Sequence, residues 1–382
     1  MKVTRKLFLV LLATALCLGA ACRRKGLTYP AGYHEFGYVT NGRSDTVSVL
    51  DLTTFQNIKT LKVGQNPTGV VVNPAKNEVY VVNTESNNVS FIDAEKNEVV
   101  ATVGVHRAPY YISVSDDGKR AYVANSGSSN VSVLDLEQRK VAATIPVGAA
   151  PGLARVSQDG TVAVASNRQD NTVSIIDGTK LSVRATLPVC QAPEDIVILP
   201  DASKAFVACS ASSQVAAIDL KNDRLLTLLD VGKTPVRMVM KPDGGEIFVC
   251  NFDSSSISVI ETAANEIGQT FLIGSNPANA IVSTDNTTLY VSNLGSNTVS
   301  IYGIDIGRVL GSLPTGSRPD SIALTGNEKF VITVNTASGD AAVLRITKLP
   351  GSSKISADRA MVTMIPVGMQ PNGIAVKAFT TK

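Results

Sequence analysis

The sequence predicts an all-β protein, a β-propeller of four-stranded antiparallel blades closed into a ring, and three observations predict it. The first is a period. Asn41, Asn83, Asn125, Asn167, Asn251, Asn293 and Asn335 each close a short apolar run and lie multiples of 42 residues apart, with Cys209 alone out of type. The second is a proline opening the next apolar run, at Pro67, Pro109, Pro151, Pro193, Pro235, Pro277 and Pro319, with Pro371 ten residues late. The third is that every repeat holds four strand-like runs. A period of about 40–45 residues with four strands per unit marks a propeller blade rather than a helical solenoid.

The repeat from Pro109 to Ala150 shows each element in order. Tyr110–Val114, Ala121–Asn125, Val131–Asp135 and Val141–Val147 are β-branched or alternating runs, as strands require. Between them lie Asp117-Gly118, a hairpin signal, the Ser/Gly/Asn stretch from Asn125 to Asn130, and the charged turn from Leu136 to Lys140; these are the connections of a meander. In the third run both faces are small or apolar, which suits a blade packed on two sides. Asn125 and Asp135 end their strands, where short polar side chains bond the following backbone and fix the turn. Their recurrence therefore predicts a structural role.

Three runs sit in register: Tyr80-Val81-Val82-Asn83, Tyr122-Val123-Ala124-Asn125 and Tyr290-Val291-Ser292-Asn293. With Tyr38-Val39-Thr40-Asn41, and a polar loop and TVSVID-like strand after each, they resemble the YVTN family of β-propeller repeats. The resemblance covers about residues 36–380. It implies a bacterial, exported propeller, often of seven blades, and implies no activity.

Counting copies predicts eight blades, with seven as the alternative. The strand ending at Asn41 or its equivalent, the VSVLD-like strand and the Pro-led strand each occur eight times. The chain opens on the second strand of a blade and ends, at Pro371–Val376, on a first strand. Pairing of that C-terminal strand with Tyr38–Asn41 would close the ring and remove its exposed edge. The ten extra residues of the last repeat, near Pro350–Arg359, read as a surface loop.

Residues 1–22 read as an export signal of lipoprotein type: Lys2, Arg5 and Lys6, then the apolar run Leu7–Leu18, then Gly19-Ala20-Ala21-Cys22. Cys22 is the expected lipidated residue, residues 23–35 a flexible tether, and 36–382 one propeller domain. The expected location is the periplasm or cell surface, at the outer membrane in a Gram-negative cell. Removing the six basic residues of the leader and tether leaves 29 basic against 32 acidic. A net charge near −3 argues against a nucleic-acid partner. The absence of Trp disfavours a WD-type propeller.

The repeats act as an internal alignment in which departures from type stand out. Cys190 replaces the glycine found at Gly64, Gly148, Gly232, Gly274 and Gly316, and Cys209 replaces the asparagine of the same blade. A meander brings these positions to one end of a hairpin, so a Cys190–Cys209 disulfide is expected, with Cys250 left as a buried thiol. Scattered cysteines without a CxxC or a partnered histidine give no metal site. At the connection into the innermost strand, three copies are chemically rich: His106, Arg107, Tyr110 and Tyr111; Glu194 and Asp195; Arg318 and Asp320. Arg237 and Asn279 occupy the same ring. Together they predict a pocket at the channel mouth for a polar or zwitterionic ligand or a peptide.

Glu194 and Asp195 are neighbours on a strand, which predicts opposite orientations and no two-carboxylate mechanism. Nor is there a nucleophile elbow, HExxH, CxxCH or phosphate-cradling glycine loop. The favoured function is a non-catalytic module, monomeric and cofactor-free, binding a protein, peptide or glycan. The alternative is an enzyme, since lactonase-type propellers, streptogramin B lyase and the haem d1 propeller of nitrite reductases look similar at repeat level. His106 with Glu194, Arg237 and Asp320 is the one group from which such a site could be built.

Overall fold

The computed structural model describes residues 28–346 and 360–381. The expected signal, the lipidation site at Cys22 and the extra loop near 350–359 lie outside them. The described residues form 32 β-strands, β1 to β32 in chain order, in eight four-stranded antiparallel sheets. Blades 2 to 8 take four consecutive strands each and span 67–104, 109–146, 151–188, 193–230, 235–272, 277–314 and 319–366. Blade 1 joins β1 (Tyr33–Asn41), β2 (Thr46–Asp51) and β3 (Gln56–Lys62) to β32 (Pro371–Thr380). The ring therefore has eight blades, and its closing strand lies against the first. The pairing is longer than the sequence suggests, running from Tyr33 opposite Thr380 to Asn41 opposite Pro371. Tyr33, His34 and Glu35, expected in the tether, thus belong to the sheet.

The middle strands of each blade are apolar on both faces because both faces are covered. Val79, Tyr80, Val81 and Val82 are fully buried, whereas the outermost strand of the same blade, Glu98–Gly104, alternates between exposed and half-buried positions. Each core cluster bridges two blades. Leu153, Val164 and Ile175 of blade 4 meet Ile196, Val207 and Ile218 of blade 5, and Val39, Leu50 and Leu52 of blade 1 meet Phe330, Ile332 and Val334 of blade 8. With about 1.5–3 kcal/mol for each large apolar side chain buried, the seam is packed like any other blade interface.

The strand-ending Asp residues act as expected: the Asp51 carboxylate accepts the Thr53 N–H at 2.8 Å, and that of Asp135 accepts the Gln138 N–H at 2.8 Å. The asparagines differ. Asn167 Nδ2 donates to Thr172 and Ser174 hydroxyls at 2.9 and 3.0 Å, and Asn251 repeats the pattern with Ser256 and Ser258. They clamp two strands side chain to side chain, rather than bonding the backbone that follows. The recurring glycine leaves room for this amide, since a Cβ on Gly232 would lie 2.7 Å from that of Asn251. In blade 5 the clamp is covalent: Cys190 and Cys209 form a disulfide with Cα atoms 5.6 Å apart. Its serine partner is gone as well, because Ala216 stands seven residues after Cys209.

Glu35 is a buried carboxyl at the seam. It is fully buried, accepts the Gly326 N–H of blade 8, and accepts the Tyr33 hydroxyl at 3.1 Å. Burial raises its pKa above the usual 4.5, against the lowering effect of the two hydrogen bonds. The folded state thus favours the protonated form, so its contribution is fullest below pH 4.5 and is lost as pH rises through the folded value. Glu35→Gln keeps an acceptor for Gly326 and removes the charge. It should raise the melting temperature at pH 8 and leave it nearly unchanged at pH 4; an equal or lower melting temperature at pH 8 would count against a charge penalty at the seam.

Candidate functional site

The eight innermost strands that line the channel all begin with proline: β4 (Pro67–Val72), β8 (Pro109–Val114), β12 (Pro151–Val156), β16 (Pro193–Ile198), β20 (Pro235–Met240), β24 (Pro277–Val282), β28 (Pro319–Leu324) and β32. Directly after the proline the pairing slips, for example between Pro109 and Tyr111 and between Pro235 and Arg237. The slip is longest in β16, where pairing resumes only at Ile196. Such a bulge suspends strict in-out alternation. Glu194 and Asp195 consequently line the same cavity, which corrects the expectation that adjacent positions point to opposite faces.

Two hollows of about 270 and 380 Å³ occupy the channel mouth and share Tyr110, Tyr111, Arg237 and Asp320 on their walls. The smaller adds Glu194, Asp195 and Arg168 with the apolar Phe252 and Leu294. Arg155 and Asn279 line the larger. At the centre sits Asp195, only 3% exposed. Its carboxylate accepts the Ile196 N–H at 3.0 Å and, across the blade boundary, the Met238 N–H at 2.8 Å. Arg155 from blade 4 and Arg237 from blade 6 approach the same oxygen, each at 3.6 Å. One carboxylate thus faces two cations.

The two guanidiniums are held differently. Arg155 donates from Nε to the Ile196 carbonyl at 3.2 Å and from Nη1 to the Tyr111 hydroxyl at 3.5 Å, and its Cζ lies 5.2 Å from the Tyr111 ring centre. Arg237 Nε is buried with no hydrogen-bond partner among the described residues, an arrangement that costs about 1–3 kcal/mol. The Arg155 charge holds the Tyr111 phenol below its usual pKa, burial opposes that, and Arg237 adds to the lowering. Burial pushes the Asp320 carboxyl up, against the charges of Arg237 and Arg318. Cys250, paired across from Arg237, is pushed up to about 12 by burial and is not a reactive thiolate. Towards the rim, Arg168 and Glu194 pair at 2.7 Å, and Ser210 donates to the same carboxylate oxygen at 3.1 Å.

Of the residues expected at the mouth, Tyr110, Tyr111, Glu194, Asp195, Arg237, Asn279 and Asp320 do line it. His106, Arg107 and Arg318 do not. They precede the proline, are exposed, and lie in the connecting turns; the His106 ring contacts the Thr144 hydroxyl in the outermost strand of its blade at 3.2 Å. The set built on His106 is therefore not assembled. Arg155 and Arg168 were not anticipated, although the repeats flag both. At the fifth position of the innermost strand, Arg155 stands where the other blades have Val71, Ser113, Val197, Val239, Ile281, Ala323 and Ala375. Arg168 follows the strand-ending Asn167, where small or apolar residues prevail. Among the described residues no group of three or more His, Cys, Asp or Glu side chains is placed to hold a metal ion.

Fold and site together define an eight-bladed β-propeller with one elaborated channel mouth. Three propeller family models each match part of the chain: YNCE-like β-propeller over residues 4–126, cytochrome D1 haem domain over 73–196, and seven-bladed lactonase over 245–363. No curated protein matches it. Among solved structures, the chain is similar to hydrazine synthase of Kuenenia stuttgartiensis, at 21% identity and TM-score 0.60, over 74% of this chain and 96% of that one. It is similar to the dihydro-haem d1 dehydrogenase NirN in complex with DHE, at 15% identity and TM-score 0.73, over 89% of this chain and 74% of that one. A functionally unknown protein from Desulfotomaculum acetoxidans matches at 19% identity and TM-score 0.62, over 79% of this chain and 99% of that one. At these identities the likeness is one of fold.

Proposed function

We propose that this propeller is a non-catalytic binding module, exported and tethered through Cys22, that takes a small polar ligand or the end of a peptide into its channel mouth. The observation that carries this reading is the pair Arg155 and Arg237 flanking the buried Asp195, set under an open hollow whose wall supplies Tyr110 and Phe252. Surface charge needs no such support. Here three adjacent blades each commit one inward residue to a single point, and one guanidinium nitrogen has no acceptor among the described residues. A concave site with few convergent polar groups among apolar ones is the usual form of a ligand pocket.

A haem-binding reading, suggested by the cytochrome D1 family and by NirN, fits these residues poorly. Neither His34 nor His106 lines either hollow, so the two hollows offer no imidazole to a haem iron.

Binding is tested by thermal unfolding against a library of metabolites and short peptides, with wild type beside Ala278→Trp, a residue that borders both hollows. A specific ligand at a hundred times its Kd should add about 2.7 kcal/mol to wild-type stability and nothing to the plugged variant. Equal shifts in both proteins, or none in either, would rule out the channel mouth as the site.

A further inference from the structure

We infer that the channel ligand presents a carboxylate to Arg237 and Arg155 and lays an apolar or aromatic body against Tyr110, Phe252 and Leu294. This rests on the channel-mouth reading and specifies the class of its occupant. The donors are already in place. Asp195 spends its hydrogen bonds on two backbone N–H groups, and it stands 3.6 Å from each guanidinium, beyond hydrogen-bonding distance. Asp195 therefore holds the two cations near one another without saturating them. Arg237 in particular lines both hollows with 34% of its side chain still exposed, while its sealed Nε–H has no acceptor among the described residues.

Two guanidiniums flank one buried carboxylate, while Arg168 and Glu194 satisfy each other at 2.7 Å. Burial pushes up the pKa of Asp320, the remaining carboxyl on the wall, against the charges of Arg237 and Arg318. A planar carboxylate matches the fork of a guanidinium. A phosphate dianion would bring a second negative charge next to Asp195, Glu194 and Asp320. The neighbouring side chains set the rest of the ligand: Tyr110 is 51% exposed at the mouth, and Phe252 and Leu294 replace the small polar residues that follow the strand-ending asparagine in most other blades.

Titration calorimetry of the folded protein with phenylacetate, phenylacetamide and inorganic phosphate tests this. Phenylacetate should bind saturably at one site, at least about tenfold more tightly than the isosteric amide and than phosphate, because a charge-assisted hydrogen bond is roughly twice as strong as a neutral one. Arg237→Gln should remove that preference and bind acid and amide alike. Arg155→Gln, which leaves Arg237 in place, should weaken the acid less, and it serves if the first variant does not fold. Amide binding equal to that of acid in the wild type, with Ala278→Trp blocking both, would overturn the carboxylate inference and leave the channel site standing. Phosphate binding tighter than phenylacetate would overturn the class of anion. Absence of binding by all three probes would overturn the inference, and only a blank library screen as well would remove the channel-mouth reading.

Discussion

Asp195→Ala is expected to destabilise the propeller by about 3 kcal/mol, the lower end of the range for breaking a buried ion pair. The lower end applies because Arg155 and Arg237 keep 30% and 34% of their side-chain surface exposed, so water still screens part of their mutual repulsion. The loss has two sources. The Ile196 and Met238 N–H groups lose their acceptor, and two cations lose the counter-charge between them. Asp195→Asn separates these, since it retains an acceptor oxygen and removes the charge; it should cost roughly half as much. Urea unfolding monitored by tyrosine fluorescence gives the comparison. A change under about 0.5 kcal/mol for the alanine variant, the size of an ordinary surface substitution, would mean that both arginines swing into solvent and that the cluster is not preorganised.

Breaking the disulfide should cost a similar amount for a different reason. Cys190 and Cys209 are 19 residues apart, and closing a loop of that size in the unfolded chain is worth about 3 kcal/mol in the chain-entropy account. Cys190→Ala with Cys209→Ala should show that loss, and dithiothreitol should have no further effect on the variant. A triple variant, Cys190→Gly, Cys209→Asn and Ala216→Ser, installs the asparagine clamp of the other blades. It should recover about 1 kcal/mol through the restored amide-to-hydroxyl bond, leaving the blade less stable than with its disulfide. Equal stability of the alanine variant and the oxidised wild type would show that the bond is incidental to the fold.

The ring was legible in the sequence because the same packing problem is solved eight times, so the 42-residue spacing of asparagine and proline survives even where a single copy departs. Glu35 shows where that legibility stops. Alone, YHEFG reads as a polar lead-in; only pairing with the distant β32 makes it a buried strand. The site was legible in part. Position after the proline identified Tyr111, Asp195 and Arg237, which line the channel. Reading the connection before the proline as part of the mouth also swept in His106, Arg107 and Arg318, which lie before the bulge and stay in the turns. Arg155 was missed because it sits deeper in its strand, at a position that is apolar in most blades, and reaches Asp195 only because its side chain is long enough to carry the charge back to the mouth. No local pattern encodes that reach.

The seam between β1 and β32 alters how the molecule comes apart. Thr40 donates to Asn372 at 2.6 Å across 332 residues of chain, a closure whose entropic cost grows only logarithmically and amounts to about 5 kcal/mol. In an open array of repeats the end units fray, because each has one neighbour. Here none is terminal: every blade is gripped on both sides, and removing any one sacrifices two interfaces at once. Unfolding is thereby made cooperative around the circle. During synthesis the converse holds, since blade 1 stands as three strands with a bare edge until the last strand emerges, and the ring acquires its full stability in one late step.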